Sequence, residues 1–128
     1  MNKKILIIDD HADIREMYES ALSARGYEVL SEENGLTGAM RAIDFEPDLV
    51  LLDIMMPQMD GFAILEALQE NAKFKCNIIV ISNLDNDEDI QKALDMGAVK
   101  YMVKSEYTPD EIVNAVTKTL EEGCKDVK

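Results

Sequence analysis

Three short runs that are apolar at every position constrain the fold of this chain more than any other feature of its sequence. They read ILII from Ile5, LVLL from Leu49 and IIVI from Ile78. A strand with one face in water alternates apolar and polar residues, whereas a strand covered on both faces is apolar throughout. The three runs therefore predict strands inside a parallel sheet. Two further apolar runs, at 27–30 and 99–103, predict two more strands.

Amphipathic helices are predicted between the strands. From Ile14 to Leu22 the apolar residues follow the i, i+3, i+4, i+7, i+8 spacing of one helical face, and Ile90 to Gly97 repeats the first four places of it. Further helices are expected at 36–45, 62–70 and 110–122. Helix starts are expected at Asp13, Asp60 and Thr108-Pro109, and helix ends at Gly26, Gly97 and Gly123. Five β-α units joined by right-handed crossovers predict a doubly wound α/β fold with a five-stranded parallel sheet and five helices.

Length and charge narrow the domain organisation and the partners. The 128 residues predict one domain, 1–128, and the five residues that follow Gly123 are too few for an attached output domain, so we expect either a protein that acts alone or a chain trimmed from a longer one. The chain carries 26 acidic residues against 13 Lys and Arg, a net charge of -13. This charge repels nucleic-acid phosphates and anionic lipids, so we expect neither as a direct partner.

The cysteines and the apolar runs indicate a compartment. Cys76 and Cys124 are far apart and show no metal-binding or redox spacing, which predicts reduced thiols. No apolar run approaches the roughly 20 residues of a membrane span. We therefore expect a soluble cytoplasmic protein.

Polar side chains follow four of the five predicted strands at their carboxyl ends, where open α/β sheets bind ligands. They are Asp9 and Asp10, Asp53, Ser82 and Lys104. If the first and third strands are neighbours, three carboxylates converge, and their like charges repel and raise one another's pKa unless a cation lies between them. With Lys104 and one divalent ion the formal charges sum to zero. Mg²⁺ suits such a site because it is bound by one or two carboxylates and keeps places for water and phosphate.

Each aspartate taken singly is better explained as a helix cap or a turn residue. Lysine is neither, so the combination favours a cation and phosphate site. Four stretches carry this combination: IIDD, LLDIMMPQMDG, ISN and YMVK. In their order, spacing and position at strand ends they resemble the receiver domain of bacterial two-component response regulators, over essentially the whole chain. The resemblance implies a flavodoxin-like fold with strand order 2-1-3-4-5, in the single-domain form.

The same resemblance implies a phosphoryl-accepting site. Asp53 is implied as the acceptor of a phosphoryl group from a sensor histidine kinase, a histidine phosphotransfer protein or a small acyl phosphate. Asp10, Asp53 and the backbone carbonyl of Met55 are implied as direct ligands of Mg²⁺, with Asp9 acting through a bound water. Lys104 is implied to hold a phosphoryl oxygen.

Ser82 and Tyr101 are implied as the switch residues. The Ser82 hydroxyl is expected to move to the new phosphoryl group, and Tyr101 to turn inward behind it. The change is expected to bias a surface built from the fourth helix, the fifth strand and the fifth helix, which a downstream protein reads. A monomer or weak homodimer is expected.

Two residues depart from the family pattern. Ser105 stands where most receivers have a proline, which predicts a trans peptide bond after Lys104 and a different loop path. Asn83 stands where a small residue is usual, and we hypothesise that it narrows water access and changes the lifetime of the phosphoryl group.

Two other functions remain open. A Mg²⁺-dependent phosphatase similar to the haloacid dehalogenase group has a second catalytic aspartate two residues after the nucleophile, where this chain has Met55. A constitutive interaction module of the same fold would dispense with phosphorylation. We expect no enzyme acting on outside substrates, and a chain that catalyses only its own phosphorylation and dephosphorylation. His11, without a second His or Cys nearby, is interpreted as a solvent-facing loop residue.

Overall fold

A five-stranded parallel sheet organises the computed structural model, which describes residues 3–56, 59–70 and 77–122. The strands are β1 Lys4–Ile8, β2 Glu28–Glu32, β3 Leu49–Asp53, β4 Asn77–Ser82 and β5 Lys100–Val103. Their order is β2-β1-β3-β4-β5, all parallel, so the predicted order is confirmed. The register sets Ile8 beside Leu52 and Asp53 beside Ile81, which brings the carboxyl ends of the central strands to one edge.

The uniformly apolar strands are covered on both faces, as predicted. Helices α1 Ala12–Ala24 and α5 Pro109–Glu122 cover one face. Helices α2 Gly35–Phe45, α3 Gly61–Glu70 and α4 Asp87–Asp95 cover the other. Alternate residues of each strand serve the two cores: Leu6 and Ile8 face α2 to α4, while Ile5 and Ile7 face α1 and α5. The doubly wound fold therefore follows from the central strands, because both of their faces are apolar and need helices to cover them.

The helix boundaries follow local capping groups. The predicted start at Thr108 is confirmed as a capping box, because the Thr108 hydroxyl accepts from the Glu111 N–H at 3.1 Å and the Glu111 carboxylate accepts from the Thr108 N–H at 2.8 Å. The start at Asp60 is also confirmed, since its carboxylate accepts from the Phe62 N–H at 2.9 Å. The start at Asp13 is wrong, because α1 begins at Ala12. Asp13 lies in the first turn, where its negative charge interacts favourably with the helix dipole.

Glycines end two helices as predicted. Gly26 and Gly97 have positive φ values of 94° and 108°, which favour glycine after α1 and α4. Gly123, Cys76 and Cys124 lie outside the described residues.

Three local features were not predicted from the sequence. A two-residue antiparallel hairpin, Met55–Met56 with Met59–Asp60, follows β3, and a single 3₁₀ turn, Lys104–Glu106, follows β5. β2 continues to Glu32, beyond the predicted run 27–30, because an edge strand tolerates polar residues. The peptide bonds in the described ranges are all trans, which confirms the expectation for Ser105. In those ranges no helix has the length and apolarity needed to cross a bilayer.

Candidate functional site

Asp9, Asp53 and Lys104 meet at the carboxyl edge of the sheet, where β1, β3 and β5 end. The Lys104 Nζ atom donates to Asp9 Oδ2 at 2.9 Å and to Asp53 Oδ2 at 3.0 Å. The side chains are almost fully buried, with exposed fractions of 8% for Lys104, 0% for Asp9 and 1% for Asp53. One ammonium group is therefore shared between two buried carboxylates, which is the convergence that the sequence predicted.

The Asp53 carboxylate is held on both oxygens. Oδ1 accepts the Met55 N–H at 2.8 Å, while Oδ2 faces Lys104. Burial raises the pKa of Asp53 from its ordinary value of 3.8 to about 6, and the charge of Asp9 adds to the rise, whereas Lys104 and the Met55 N–H oppose it. The predicted rise is thus confirmed for Asp53. Its largest cause is loss of solvent, with repulsion between carboxylates second among the causes that raise it.

Lys104 keeps its charge although it is buried. Burial alone lowers the pKa of a lysine, but the hydrogen bond and the charge of Asp9, together with the charge of Asp53, outweigh it and place the Lys104 pKa above its ordinary value. The site therefore retains a positive charge beside Asp53.

Asp9 and Asp10 differ in how far their oxygens are already engaged. Asp9 Oδ1 accepts the His11 N–H at 2.9 Å, its Oδ2 accepts from Lys104, and its backbone carbonyl accepts from Arg15 Nη1 at 2.9 Å. Asp10 Oδ1 is a buried atom with no hydrogen-bond partner among the described residues. Asp10 therefore has a carboxylate oxygen that can bind a cation without first losing a hydrogen bond.

The acidic group fits a divalent cation. Asp9, Asp10, His11 and Asp53 each offer a ligand atom, and these atoms lie within 4.8 Å of one another. Three of the four offer carboxylate oxygen, the donor that Mg²⁺ prefers, and the unpartnered Asp10 oxygen lacks the positive neighbour that such an ion provides. The donor set and the orphaned oxygen are thus what a hard cation site requires.

His11 is an exposed loop residue that also borders the acidic group. Its side chain is half exposed, but Nδ1 lies 3.1 Å from Asp9 Oδ1, 3.3 Å from Asp10 Oδ1 and 3.9 Å from Asp53 Oδ2. The interpretation as a solvent-facing loop residue is confirmed, but the approach of its ring to the carboxylates was not predicted. The sequence signal was its position directly after the acidic pair, but sequence does not tell which way a side chain at the start of a helix turns.

An open cavity of about 320 Å³ leads to the acidic group. Its lining residues are Asp10, His11, Asp53, Met55, Asn83 and Lys104. Met55 thus borders the site, and its carbonyl as a metal ligand stays a prediction. Asn83 also borders the cavity, as its hypothesis on water access requires. Pro57 lies outside the described residues.

Ser82 and Tyr101 both hold the backbone of Leu84, in the loop between β4 and α4. The buried Ser82 accepts the Leu84 N–H on Oγ at 3.0 Å, and the Tyr101 hydroxyl donates to the Leu84 carbonyl at 2.8 Å. Burial raises the pKa of Tyr101. The two predicted switch residues therefore meet at one residue of this loop, which sequence reasoning did not single out.

Gly61 fixes the path of the chain after Asp53. A Cβ atom at this position would collide with the backbone of Ile54, at Cα and at the carbonyl oxygen. Only glycine allows α3 to begin against this segment. The loop that carries Met55 past the Asp53 carboxylate depends on that close approach.

Comparison with known proteins places this geometry in a family. The model of the response regulator receiver domain matches residues 5–117. The chain is 34% identical over 120 residues to the alkaline phosphatase synthesis transcriptional regulatory protein PhoP of Bacillus subtilis, covering 94% of this chain and 49% of that protein. It is 35% identical over 121 residues to the chemotaxis protein CheY of the same organism, covering 94% of this chain and 99% of that protein.

Solved structures agree with this assignment. A CheY-like response regulator receiver domain protein from Methanospirillum hungatei superposes with a TM-score of 0.86 at 27% identity, covering 95% of this chain and 96% of that chain. The chain spans about half the length of PhoP and of the probable transcriptional regulators ycf27 of Porphyridium aerugineum and Pyropia yezoensis that it also matches. The chain belongs to the response regulator receiver domain family.

Proposed function

We propose that this receiver domain is a phosphoryl-accepting switch of a two-component phosphorelay, in which Asp53 is the acceptor. One observation carries the proposal: the buried Asp53 carboxylate lies 3.0 Å from the charged Lys104 and borders an open cavity. The acidic pair Asp9 and Asp10 lies beside it. A carboxylate oxygen attacks phosphorus, the P–N bond of a phosphohistidine breaks, and its electron pair leaves with the imidazole nitrogen. The product is an aspartyl phosphate.

The neighbouring residues prepare this transfer. Asp10 and Asp53, with the Met55 carbonyl, would hold Mg²⁺ directly, and Asp9, whose oxygens are already engaged, would act through a bound water. When bound, Mg²⁺ would neutralise charge on the phosphoryl group and orient it for in-line attack. Lys104 holds a phosphoryl oxygen without offering a competing acceptor. Burial also removes water from the Asp53 carboxylate, and a carboxylate that is poorly hydrated is a better nucleophile.

The switch acts through the loop between β4 and α4. When the Ser82 hydroxyl turns to the phosphoryl group, it releases the Leu84 N–H that it now accepts. The carbonyl of the same residue is bound by Tyr101, so movement of the loop and inward rotation of Tyr101 are coupled. The altered surface of α4, β5 and α5 is the part that a downstream protein reads.

The proposal includes a compartment and a set of partners. A sensor histidine kinase or a histidine phosphotransfer protein supplies the phosphoryl group, and the chain works in the cytoplasm as a monomer or weak homodimer without binding nucleic acid itself. It turns over no outside substrate. Met55 supports this, because a phosphatase acting through an aspartyl phosphate needs an acid at that place.

Intact-mass measurement tests the proposal after incubation with acetyl phosphate and Mg²⁺. The wild type is expected to gain the mass of one phosphoryl group, and Asp53→Asn to gain none. Asp44→Asn, at an exposed aspartate of α2, is the matched control and should behave as the wild type. An unmodified wild type, or equal modification of Asp53→Asn, would overturn Asp53 as the acceptor.

A further inference from the structure

We propose that His11 supplies a nitrogen ligand to the divalent ion of the acidic group, so that the site binds Mn²⁺ and similar transition-metal ions in preference to Mg²⁺. The inference rests on the proposed function only in using the same metal site. It adds a ligand that the receiver resemblance did not assign.

The position of the imidazole carries the inference. Nδ1 lies 3.1 Å from Asp9 Oδ1 and 3.3 Å from Asp10 Oδ1. Two donors in adjacent places around one ion, each with a bond of about 2.1 Å, are separated by roughly 3.0 Å at a right angle. The 3.3 Å between Nδ1 and Asp10 Oδ1 therefore fits two donors that share one ion, with Asp9 close enough to reach that ion through a bound water. Asp53 Oδ2, at 3.9 Å from Nδ1, lies within reach of the same centre.

A hydrogen bond between Nδ1 and Asp9 Oδ1, at 3.1 Å, accounts for only part of this arrangement. A protonated Nδ1 has one hydrogen, yet it faces oxygens of two different carboxylates. Asp10 Oδ1 is buried and has no hydrogen-bond partner among the described residues, although it lies 3.3 Å from the ring nitrogen. A cation between them would satisfy both carboxylates and the nitrogen lone pair.

The backbone around His11 places the ring beside the carboxylates, where Nδ1 is hydrogen-bonded with Asp9 Oδ1 at 3.1 Å. His11 is the N-cap residue of α1, with φ -90° and ψ 109°, but its side chain makes no capping hydrogen bond. Its N–H donates to Asp9 Oδ1 at 2.9 Å, and Arg15 holds the Asp9 carbonyl at 2.9 Å. This turn directs the ring back over the carboxylates, and an ion bound there would replace the hydrogen bond of Nδ1 with Asp9 Oδ1.

The chemistry of the donor predicts which ions gain. Mg²⁺ is a hard ion that takes oxygen ligands and gives up its water reluctantly, so an imidazole contributes little to its binding. Imidazole suits transition-metal ions, and Mn²⁺ accepts both carboxylate and nitrogen ligands. His11 is therefore expected to separate the affinities of the two ions.

Pulsed electron paramagnetic resonance tests the ligand directly, on the complete chain without a histidine tag and loaded with Mn²⁺. The sequence contains one histidine, so any coupling to an imidazole nitrogen belongs to His11. The wild type is expected to show the nitrogen hyperfine coupling of a coordinated imidazole, and His11→Ala to lose it. Mn²⁺ bound to the wild type without nitrogen coupling would overturn the inference.

Calorimetric titration with Mn²⁺ and with Mg²⁺ measures the selectivity. His11→Ala is expected to weaken Mn²⁺ binding about tenfold while Mg²⁺ binding changes less than about twofold. Asp10→Asn is the control for the site and should weaken both ions. Equal effects of His11→Ala on the two ions would contradict the inference. Phosphorylation of Asp53 with Mg²⁺ is scored separately, so a failure of His11 as a ligand leaves the proposed function standing.

Discussion

The Tyr101 hydroxyl donates a hydrogen bond to the backbone carbonyl of Leu84 across 2.8 Å. Ser82 Oγ accepts from the N–H of the same residue at 3.0 Å. Side chains from two neighbouring strands thus bind the N–H and the carbonyl of one loop residue. If either hydrogen bond breaks, the loop is free to move.

Tyr101→Phe keeps the ring packed and removes only the bond to Leu84. Loss of a hydrogen bond of this kind costs about 1 kcal/mol in the free energy of unfolding, which urea denaturation measures. Tyr107→Phe, at an exposed tyrosine, is the matched control and is expected to change stability by less than about 0.5 kcal/mol. Equal effects of the two substitutions would show that the Leu84 contact contributes nothing.

The raised pKa of Asp53 predicts how stability depends on pH. Because the folded pKa of about 6 exceeds the ordinary value of 3.8, Asp53 contributes stability that is fully present below pH 3.8 and is lost as pH rises through 6. With chelator present, Asp53→Asn is therefore expected to exceed the wild type in unfolding free energy by roughly 1 to 3 kcal/mol above pH 6. The difference should shrink toward zero near pH 4.

Urea denaturation across this pH range measures the difference, and Asp44→Asn, at an exposed position, is its control. A gap between wild type and Asp53→Asn that stays constant from pH 4 to 8 would contradict burial of the Asp53 charge as its source.

Lys104→Gln removes the cation that two buried carboxylates share. The uncompensated charges are expected to lower the unfolding free energy by about 3 kcal/mol at neutral pH in chelator. Mg²⁺ should restore part of the loss, since a divalent ion supplies positive charge to the same carboxylates. Lys100→Gln, on the exposed side of β5, is expected to change little. A loss that Mg²⁺ does not reduce would mean that the ion binds away from Asp9 and Asp53.

Gly61→Ala tests the close approach under the loop after Asp53. Its Cβ would press on the backbone of Ile54, which cannot rotate away, so a loss of about 2 kcal/mol or more is expected in thermal or urea unfolding. Gly35→Ala is the matched variant at the first residue of α2, where the new atom meets the flexible side chain of Ile64. Gly61→Ala should cost clearly more than Gly35→Ala, and the reverse order would contradict the role of the backbone.

Asn83 borders the cavity beside the proposed acceptor. Asn83→Ala opens space for water, so the aspartyl phosphate is expected to hydrolyse several-fold faster. Loss of the phosphoryl mass over time, after removal of acetyl phosphate, measures the rate. An unchanged rate would rule out Asn83 as a barrier to water.

Much of the fold was predictable because burial on both faces leaves a strong trace in composition. The runs at Ile5, Leu49 and Ile78 identified the three central strands, and the polar residues that follow them located the site. The boundaries of α1 and β2 were missed by one or two residues, because α1 begins without a side-chain capping bond to mark its start and pairing at a sheet edge depends on tertiary geometry.

The contacts that give the site its character were less predictable. Sequence placed Asp9, Asp53 and Lys104 at one edge, but only the structure shows one ammonium shared at 2.9 and 3.0 Å. The orientation of the His11 ring and the two hydrogen bonds to Leu84 depend on side-chain rotamers and on the path of the loop backbone. No residue-type pattern encodes these directly.

The full burial of β1, β3 and β4 sets a gradient of local stability along the protein. Amides of these strands exchange with solvent only when the whole domain opens, whereas those of the loops at the carboxyl edge exchange by small local openings. Asp53 lies at the boundary between the two regimes, as the last residue of the fully buried strand β3. Because the strand is rigid and the loop is not, a chemical change at Asp53 is expected to move the loop and to leave the strand in place.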